Sequence, residues 1–270
     1  MAERPASHWR ALSWRFCNSM AAMRSTRVSS SGEERYNLEP VKGTTIVLSI
    51  IIPTLNAATE LGPTLETLAA ASQLPHEVIV ADAGSVDDTA LIAMNGGAIF
   101  LEAQKGRGRQ LAAGAAAAAG DWLLFLHADT QPQAGWAQAV QAFVADPANR
   151  FQAGYFRFAL DDRARAARLI EQVVRLRSRI LGLPYGDQGL LIGRSFYDKL
   201  GGYKRLPLME DVEIVRRIGR SRMKPLAATA VTSAAKYRRD GYLLRPLRNL
   251  FMLGLYAAGV SPRFLITLYR

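Results

Sequence analysis

Four unbroken apolar runs at near-regular intervals constrain this chain more than any other feature: Ile46 to Ile52, Val78 to Ala81, Ala98 to Leu101 and Trp122 to Leu126. A strand buried on both faces of a parallel sheet reads as a continuous apolar run, whereas a half-solvated strand alternates. Between the runs lie helix-like segments, Ala57 to Ala71, Val86 to Asn95 and the alanine-rich Arg107 to Ala119, the last strongly helix-favouring in composition. Strand alternating with helix predicts an α/β fold with a mostly parallel central sheet and helices on both faces. Ligands of such sheets bind beyond the carboxyl ends of the strands. Attention therefore falls on Pro53-Thr54-Leu55-Asn56, Asp82-Ala83-Gly84-Ser85, Lys105 to Arg109 and His127-Ala128-Asp129.

With 270 residues, one large domain with appendages is expected. The single cysteine, Cys17, excludes a disulfide framework or thiolate metal site within the chain and is compatible with a reducing cytosol. Residues 1–42 are rich in Arg, Ser and Ala and lack periodicity and the apolar run of a signal peptide. They read as a disordered basic extension, with Met20 or Met23 as later starts; a basic targeting peptide is the alternative. Charge is uneven within the total of +11: residues 43–150 carry 4 basic and 10 acidic side chains, residues 151–270 carry 23 and 9. That asymmetry points to an anionic partner for the C-terminal half. Nucleic acid is not expected, because no recognisable binding motif accompanies the arginines.

The first strand is followed by PTLN, without the glycines that bring backbone to a pyrophosphate, which argues against a dehydrogenase. Lys105-Gly106-Arg107-Gly108-Arg109 supplies glycines and cations after the third strand instead. Such a loop can hold a diphosphate through arginine forks and a helix N-terminus, or be a solvated basic turn. Asp82 ends the second strand and can accept hydrogen bonds from a base or ribose, while Asp87 and Asp88 suit the start of the next helix. His127 and Asp129 alternate on an extended segment and can face one bound ion. Their chemistry suits Mg or Mn completed by substrate phosphates.

The ordered set IIPTLN, VIVADAGSVDDT, GDWLLFLHADT, GDQG and MEDVEI, across roughly residues 46 to 230, resembles family 2 glycosyltransferases of the GT-A nucleotide-diphospho-sugar fold. It is most similar to a small HADT-motif group that includes arsenosugar biosynthesis glycosyltransferases and lies close to the diaponeurosporenoate glycosyltransferase. The resemblance implies an inverting, metal-dependent transferase that uses a nucleoside diphosphate sugar, with UDP-sugars favoured. Asp82 would contact the nucleobase, with Pro53, Thr54 and Asn56 around it, and Lys105, Arg107 and Arg109 would serve the diphosphate. Asp129, with His127, would hold Mn or Mg, and Asp211, next to Glu210, would be the general base. Gly186, Asp187, Gln188 and Arg238 would face the acceptor. One departure is that His127 stands where the usual DxD motif has its first Asp. Read without the family, Glu210 and Asp211 are acidic residues opening a helix over Asp211 to Arg220, where the helix dipole favours them.

In the basic half, Arg163 to Leu181 predicts an amphipathic helix. Leu169, Val173, Leu176 and Ile180 share one face, and Arg165, Arg168, Arg175 and Arg179 form a stripe on another. This is either a solvated surface helix or a contact for anionic lipid or an acceptor phosphate. From Pro246 to Val260 runs an apolar segment of roughly 15 residues, short of the roughly 20 that cross a bilayer, and Phe264 to Tyr269 is shorter. Flanking arginines suit these C-terminal helices to an interface. The expected organisation is a basic extension over 1–42, a GT-A domain over 43–235 and a helical, membrane-associating segment over 236–270. The chain would then lie peripherally on the cytoplasmic face of the cell membrane, with a small or lipid-like hydroxyl or carboxyl acceptor. Two rival readings remain. GRGRQ resembles a nucleotidyltransferase signature loop, although that loop should follow the first strand, and a non-catalytic binder at an anionic membrane surface would keep the fold without the activity.

Overall fold

The structure is a computed structural model that describes residues 48–71 and 73–269; the expected basic extension and Cys17 lie outside the described residues. The described residues belong to one compact unit, Ile46–Arg270.

An eight-stranded sheet has the order β3-β2-β1-β4-β7-β6-β8-β5. Its first four strands in sequence are β1 (Leu48–Thr54), β2 (His76–Asp82), β3 (Ile99–Glu102) and β4 (Trp122–Phe125), the four apolar runs with ends moved by a few residues. They pair in parallel, β1 lying between β2 and β4. Pro53 and Thr54, expected in the loop, are the last two residues of β1, paired with Ala81 and Asp82. The remaining strands are β5 (Thr130–Pro132), β6 (Ala153–Leu160), β7 (Leu190–Gly193) and β8 (Met223–Thr232). β7 joins β4 and β6 antiparallel, β6 pairs with β8 in parallel, and β5 closes the far edge antiparallel to β8.

Side chains of β1 alternate between the two faces, so Ile50 and Ile52 enter one core and Ile51 the other. The first core takes α1 (Ala58–Ala69) and α4 (Trp136–Ala145); the second takes α3 (Arg107–Ala117), α6 (Arg194–Lys199) and α7 (Glu210–Ile218). All three isoleucines are fully buried, each worth about 1.5–3 kcal/mol relative to exposure. α2 (Thr89–Asn95) completes the β2–β3 crossover. The basic half adds α5 (Arg165–Leu181), α8 (Ala235–Asp240), α9 (Leu244–Ala257) and α10 (Pro262–Tyr269). No helix among the described residues is long and apolar enough to cross a membrane.

Strand order reverses between β1 and β4, with β2 and β3 to one side and β7 to the other. That switch point, at the carboxyl ends of β1 and β4, is where an α/β sheet opens a crevice.

Candidate active site

Two adjoining cavities open there. One, about 410 Å³, is lined by Pro53, Thr54 and Asn56 after β1, by Lys105, Gly106 and Arg107 at the start of α3, and by Ile266 of α10. The other, about 180 Å³, is lined by Tyr185, Gly186, Asp187 and Asp211, with Lys236 and Tyr237 of α8 and Arg245, Asn249, Met252 and Leu253 of α9. Arg107, His127, Asp129, Glu210 and Lys236 line both and form the wall where the chambers meet.

The larger chamber's rim is built by local hydrogen bonding. Asn56 has φ 50°, a left-handed conformation that Asn tolerates better than most residues. Its side chain accepts from Val86 N–H at 3.0 Å and its own N–H donates to Ser85 Oγ at 2.8 Å. Asp87 accepts from the N–H groups of Ala58 and Thr89 at the starts of α1 and α2, the structural role expected for it. Asp82 is buried below this rim. Its carboxylate accepts from Thr54 Oγ1, Ser85 Oγ, Ser85 N–H and Gly84 N–H at 2.5–2.9 Å. Burial alone would raise its pKa, but these bonds outweigh it and hold the carboxyl below its ordinary value. Asp82 therefore fixes the β1 and β2 ends internally and does not line the chamber.

Gln110, which composition did not single out, donates from α3 to Thr54 O at 2.7 Å and Ala81 O at 2.8 Å. The start of α3 sits close because Gly108 lacks a side chain: a Cβ there would lie 2.3 Å from Lys204 O and 2.9 Å from Leu206 O. Arg107 reaches Glu210 Oε1 at 3.4 Å. Arg109, grouped with it in the sequence, is exposed and lines neither chamber.

At the shared wall, His127 is drawn down to about pKa 4 by burial and the Arg107 charge, against the opposing pull of Asp129 and Asp211. Its imidazole is thus neutral near pH 7 and can serve as a metal ligand. A Cβ on Gly186 would fall 2.4 Å from His127 Nε2, so the glycine lets this turn close on the ring. Asp129 accepts from Lys236 Nζ at 2.9 Å. Burial works to raise its pKa, but His127 and Lys236 outweigh it and lower it. Among the described residues no three or more His, Cys, Asp or Glu side chains gather as a metal cluster. The donor set fits a divalent ion that takes two protein ligands, His127 and Asp129, and the rest from a diphosphate.

Asp211 opens the smaller chamber. Met209, at φ 66°, turns the chain into α7, which begins at Glu210, one residue before the expected start. Asp211 accepts from Gly186 N–H at 3.0 Å and Val212 N–H at 2.7 Å. Glu210 is 1% exposed; burial raises its pKa, Arg107 opposes and Asp211 adds to the rise. Asp187 Oδ1 is buried and has no hydrogen-bond partner among the described residues. Burial drives its carboxyl up to about 6, opposed by Arg177 and reinforced by Asp211 and Asp129.

Two residues expected at the acceptor do not face this chamber. Gln188 is 1% exposed and turns inward, accepting from Ser178 Oγ at 2.9 Å and donating to Phe156 O at 3.2 Å. Arg238 points away to Asp162 at 3.2 Å; its immediate neighbours Lys236 and Tyr237, on other faces of the short helix α8, line the smaller chamber instead. Tyr237 is legible in the sequence as part of Tyr237-Arg238-Arg239, a run that resembles an arginine-aromatic motif near the acceptor, whereas only adjacency to it points to Lys236.

Residues 49–199 match the family model described as Glycosyl transferase family 2. Among solved structures the chain is similar to glucosyl-3-phosphoglycerate synthase from Mycobacterium tuberculosis in complex with Mn2+, UDP and glucosyl-3-phosphoglycerate: 18% identity, 69% of this chain and 70% of that one, TM-score 0.50. It is also similar to S. aureus TarS 1-349, with 17% identity over 81% of this chain and 68% of that one and a TM-score of 0.54. TarS 1-349 in complex with UDP-GlcNAc matches at 18% identity over 69% and 58%, again with a TM-score of 0.54. No curated protein matches the chain. The structural likeness confirms the GT-A fold expected from the motifs.

Proposed function

This chain belongs to glycosyl transferase family 2, and from that premise we propose that it moves a sugar, with inversion, from a UDP-sugar to a hydroxyl or carboxyl of a small or lipid-like acceptor. Within the family we place it nearest the HADT-motif group, on Leu126-His127-Ala128-Asp129-Thr130. The observation that carries the reading is the pair of chambers meeting at one charged wall, with Asp211 on the side away from Pro53, Thr54 and Asn56.

In this reading the larger chamber takes the nucleotide. Lys105, Arg107 and Lys236 stabilise charge that grows on the leaving diphosphate. A divalent ion, Mn or Mg, held by Asp129 and His127 would supply further charge stabilisation when bound. Asp211 accepts the proton of the attacking hydroxyl, oriented for it by the Gly186 N–H. Base and leaving group on opposite sides of the anomeric carbon give inversion. The Asp82 contact to the base requires one of its four internal hydrogen bonds to be exchanged, so Asn56 and Thr54 are the nearer partners. Met252 and Leu253 of α9 give the acceptor chamber an apolar wall, which favours an amphiphilic acceptor. Delivery of such an acceptor from a lipid surface makes peripheral placement on the cytoplasmic face of a membrane part of this reading.

The test is Asp211→Asn, assayed for UDP binding with Mn2+ and for release of UDP from UDP-glucose with an amphiphilic alcohol. Retained binding with release lowered about a hundredfold or more supports the reading. Unchanged release in the variant refutes Asp211 as base, and wild-type binding without release favours a non-catalytic nucleotide binder.

A further inference from the structure

α5 divides into three arcs. Ala167, Ile170, Val174 and Ser178 face the protein and are buried; the first three complete a core with Phe158 and Leu160, and Ser178 donates to Gln188. Leu169, Val173, Leu176 and Ile180 occupy a second arc and are 50–62% exposed, so among the described residues none covers them. At 100° per residue, Arg165, Arg168, Arg175 and Arg179 fall on the adjoining third arc. The helix's one carboxylate, Glu171, is buried and engaged by Arg168 and by Leu160 N–H.

A cavity of about 300 Å³ lies beside the basic arc, bordered by Tyr155, Arg157, Arg175, Arg179 and Gln188. It opens where the β6–β8 register slips: Tyr155 pairs with Pro225 but Arg157 with Thr229. The extra residues of β8 bulge away from β6, as unpaired residues in a ladder do. Arg157, Arg175 and Arg179 form no ion pair with a carboxylate among the described residues.

We propose that the outward face of α5 docks on an anionic lipid surface, with the apolar arc entering the acyl boundary and the three-arginine cavity taking a phosphate headgroup. An exposed apolar stripe beside a basic one matches an interfacial helix, and arginines near such a surface are attracted to its phosphates. A second copy of the chain fits worse, because an antiparallel two-fold contact through this helix would set its basic arcs side by side and a parallel one would leave both without an anionic partner. The site also borders the chemistry. Gln188 lines this cavity and Asp187 lines the acceptor chamber, so the turn Gly186–Gln188 is their common wall and its Gly186 N–H holds Asp211. The proposal deepens the membrane placement in the transferase reading by naming its surface, and its test is independent of whether sugar transfer occurs.

The test is flotation of the full chain with vesicles of phosphatidylcholine alone or with about a quarter phosphatidylglycerol. Wild type, Arg175→Gln/Arg179→Gln and Leu176→Glu/Ile180→Glu are compared, with circular dichroism and UDP binding as controls for folding. Binding is expected only to the anionic vesicles, weakened by salt, and reduced on the order of tenfold or more in both double variants. Absence of wild-type flotation, or variants that float like wild type, would overturn the proposal. Saturating inorganic phosphate binding without vesicle binding would overturn it in favour of a free anion, and a dimer lost only in Leu176→Glu/Ile180→Glu would do so in favour of self-association.

Discussion

Lys236 Nζ lies 2.9 Å from Asp129 Oδ2, so an ammonium already neutralises the carboxylate that the family motif offers to a divalent ion. The two residues come from distant parts of the chain, Asp129 after β4 and Lys236 on α8. Lys236 is about half exposed and Asp129 largely enclosed, so the lysine can leave while the carboxylate stays.

A cation and Lys236 therefore compete for Asp129. Lys236→Met should tighten Mn2+ binding to the nucleotide-free protein by about fivefold, the scale of a partly exposed ion pair, and weaken UDP binding in the presence of Mn2+. Electron paramagnetic resonance titration of free Mn2+ reads the first effect directly. Unchanged or weaker Mn2+ binding in the variant would mean that the pair has no bearing on the metal.

Asp187 should destabilise the fold at neutral pH. Its folded pKa of about 6 exceeds the ordinary value of 3.8, so between those pH values the folded state binds more protons and stability falls as pH rises. Asp187→Asn should raise the melting temperature at pH 7.5, by at most about 3 kcal/mol of stability, and have little effect at pH 4. Equal effects at both pH values would exclude the titration as the cause.

His127 carries the opposite sign. Its folded pKa of about 4 lies below the ordinary 6.5, so the unfolded chain binds the extra proton and stability is lost as pH falls from 6.5 towards 4. His127→Asn should flatten that limb by about 2 kcal/mol at pH 5, read from urea unfolding at a series of pH values. An unchanged limb would show that the ring is not held neutral.

Gly108→Ala should disturb the donor chamber from a distance. A Cβ 2.3 Å from Lys204 O forces α3 away from the 204–206 segment, costing about 1–3 kcal/mol and displacing Arg107. UDP binding should weaken severalfold in a protein that still folds, measurable by calorimetry. Wild-type affinity would mean that the contact does not position the arginine.

The parallel half of the sheet was legible because burial on both faces leaves its strands apolar without interruption, and the strand ends then named the loops to inspect. His127, Asp129 and Arg107 converge on the shared wall accordingly, with Asp211 beside it in the smaller chamber. Periodicity could not tell which arc of α5 faces the protein: small Ala167 and Ser178 pack inward, and the larger Leu169 and Leu176 remain outside. Nor could local pattern separate Lys236 from Arg238, since a two-residue step around a short helix decides which one reaches Asp129. The hydrogen bonds that occupy Asp82 come from Thr54, on a strand 28 residues earlier, and from the turn after β2, a closure visible only in three dimensions.

Metal-dependent nucleotide binding at the Asp129 wall is the central claim, and calorimetric titration of UDP into wild type and Asp129→Ala, each with and without Mn2+, tests it most directly. The account predicts binding that requires Mn2+ in wild type and is lost in the variant. Equal binding with and without Mn2+, or an affinity that survives Asp129→Ala, would contradict it.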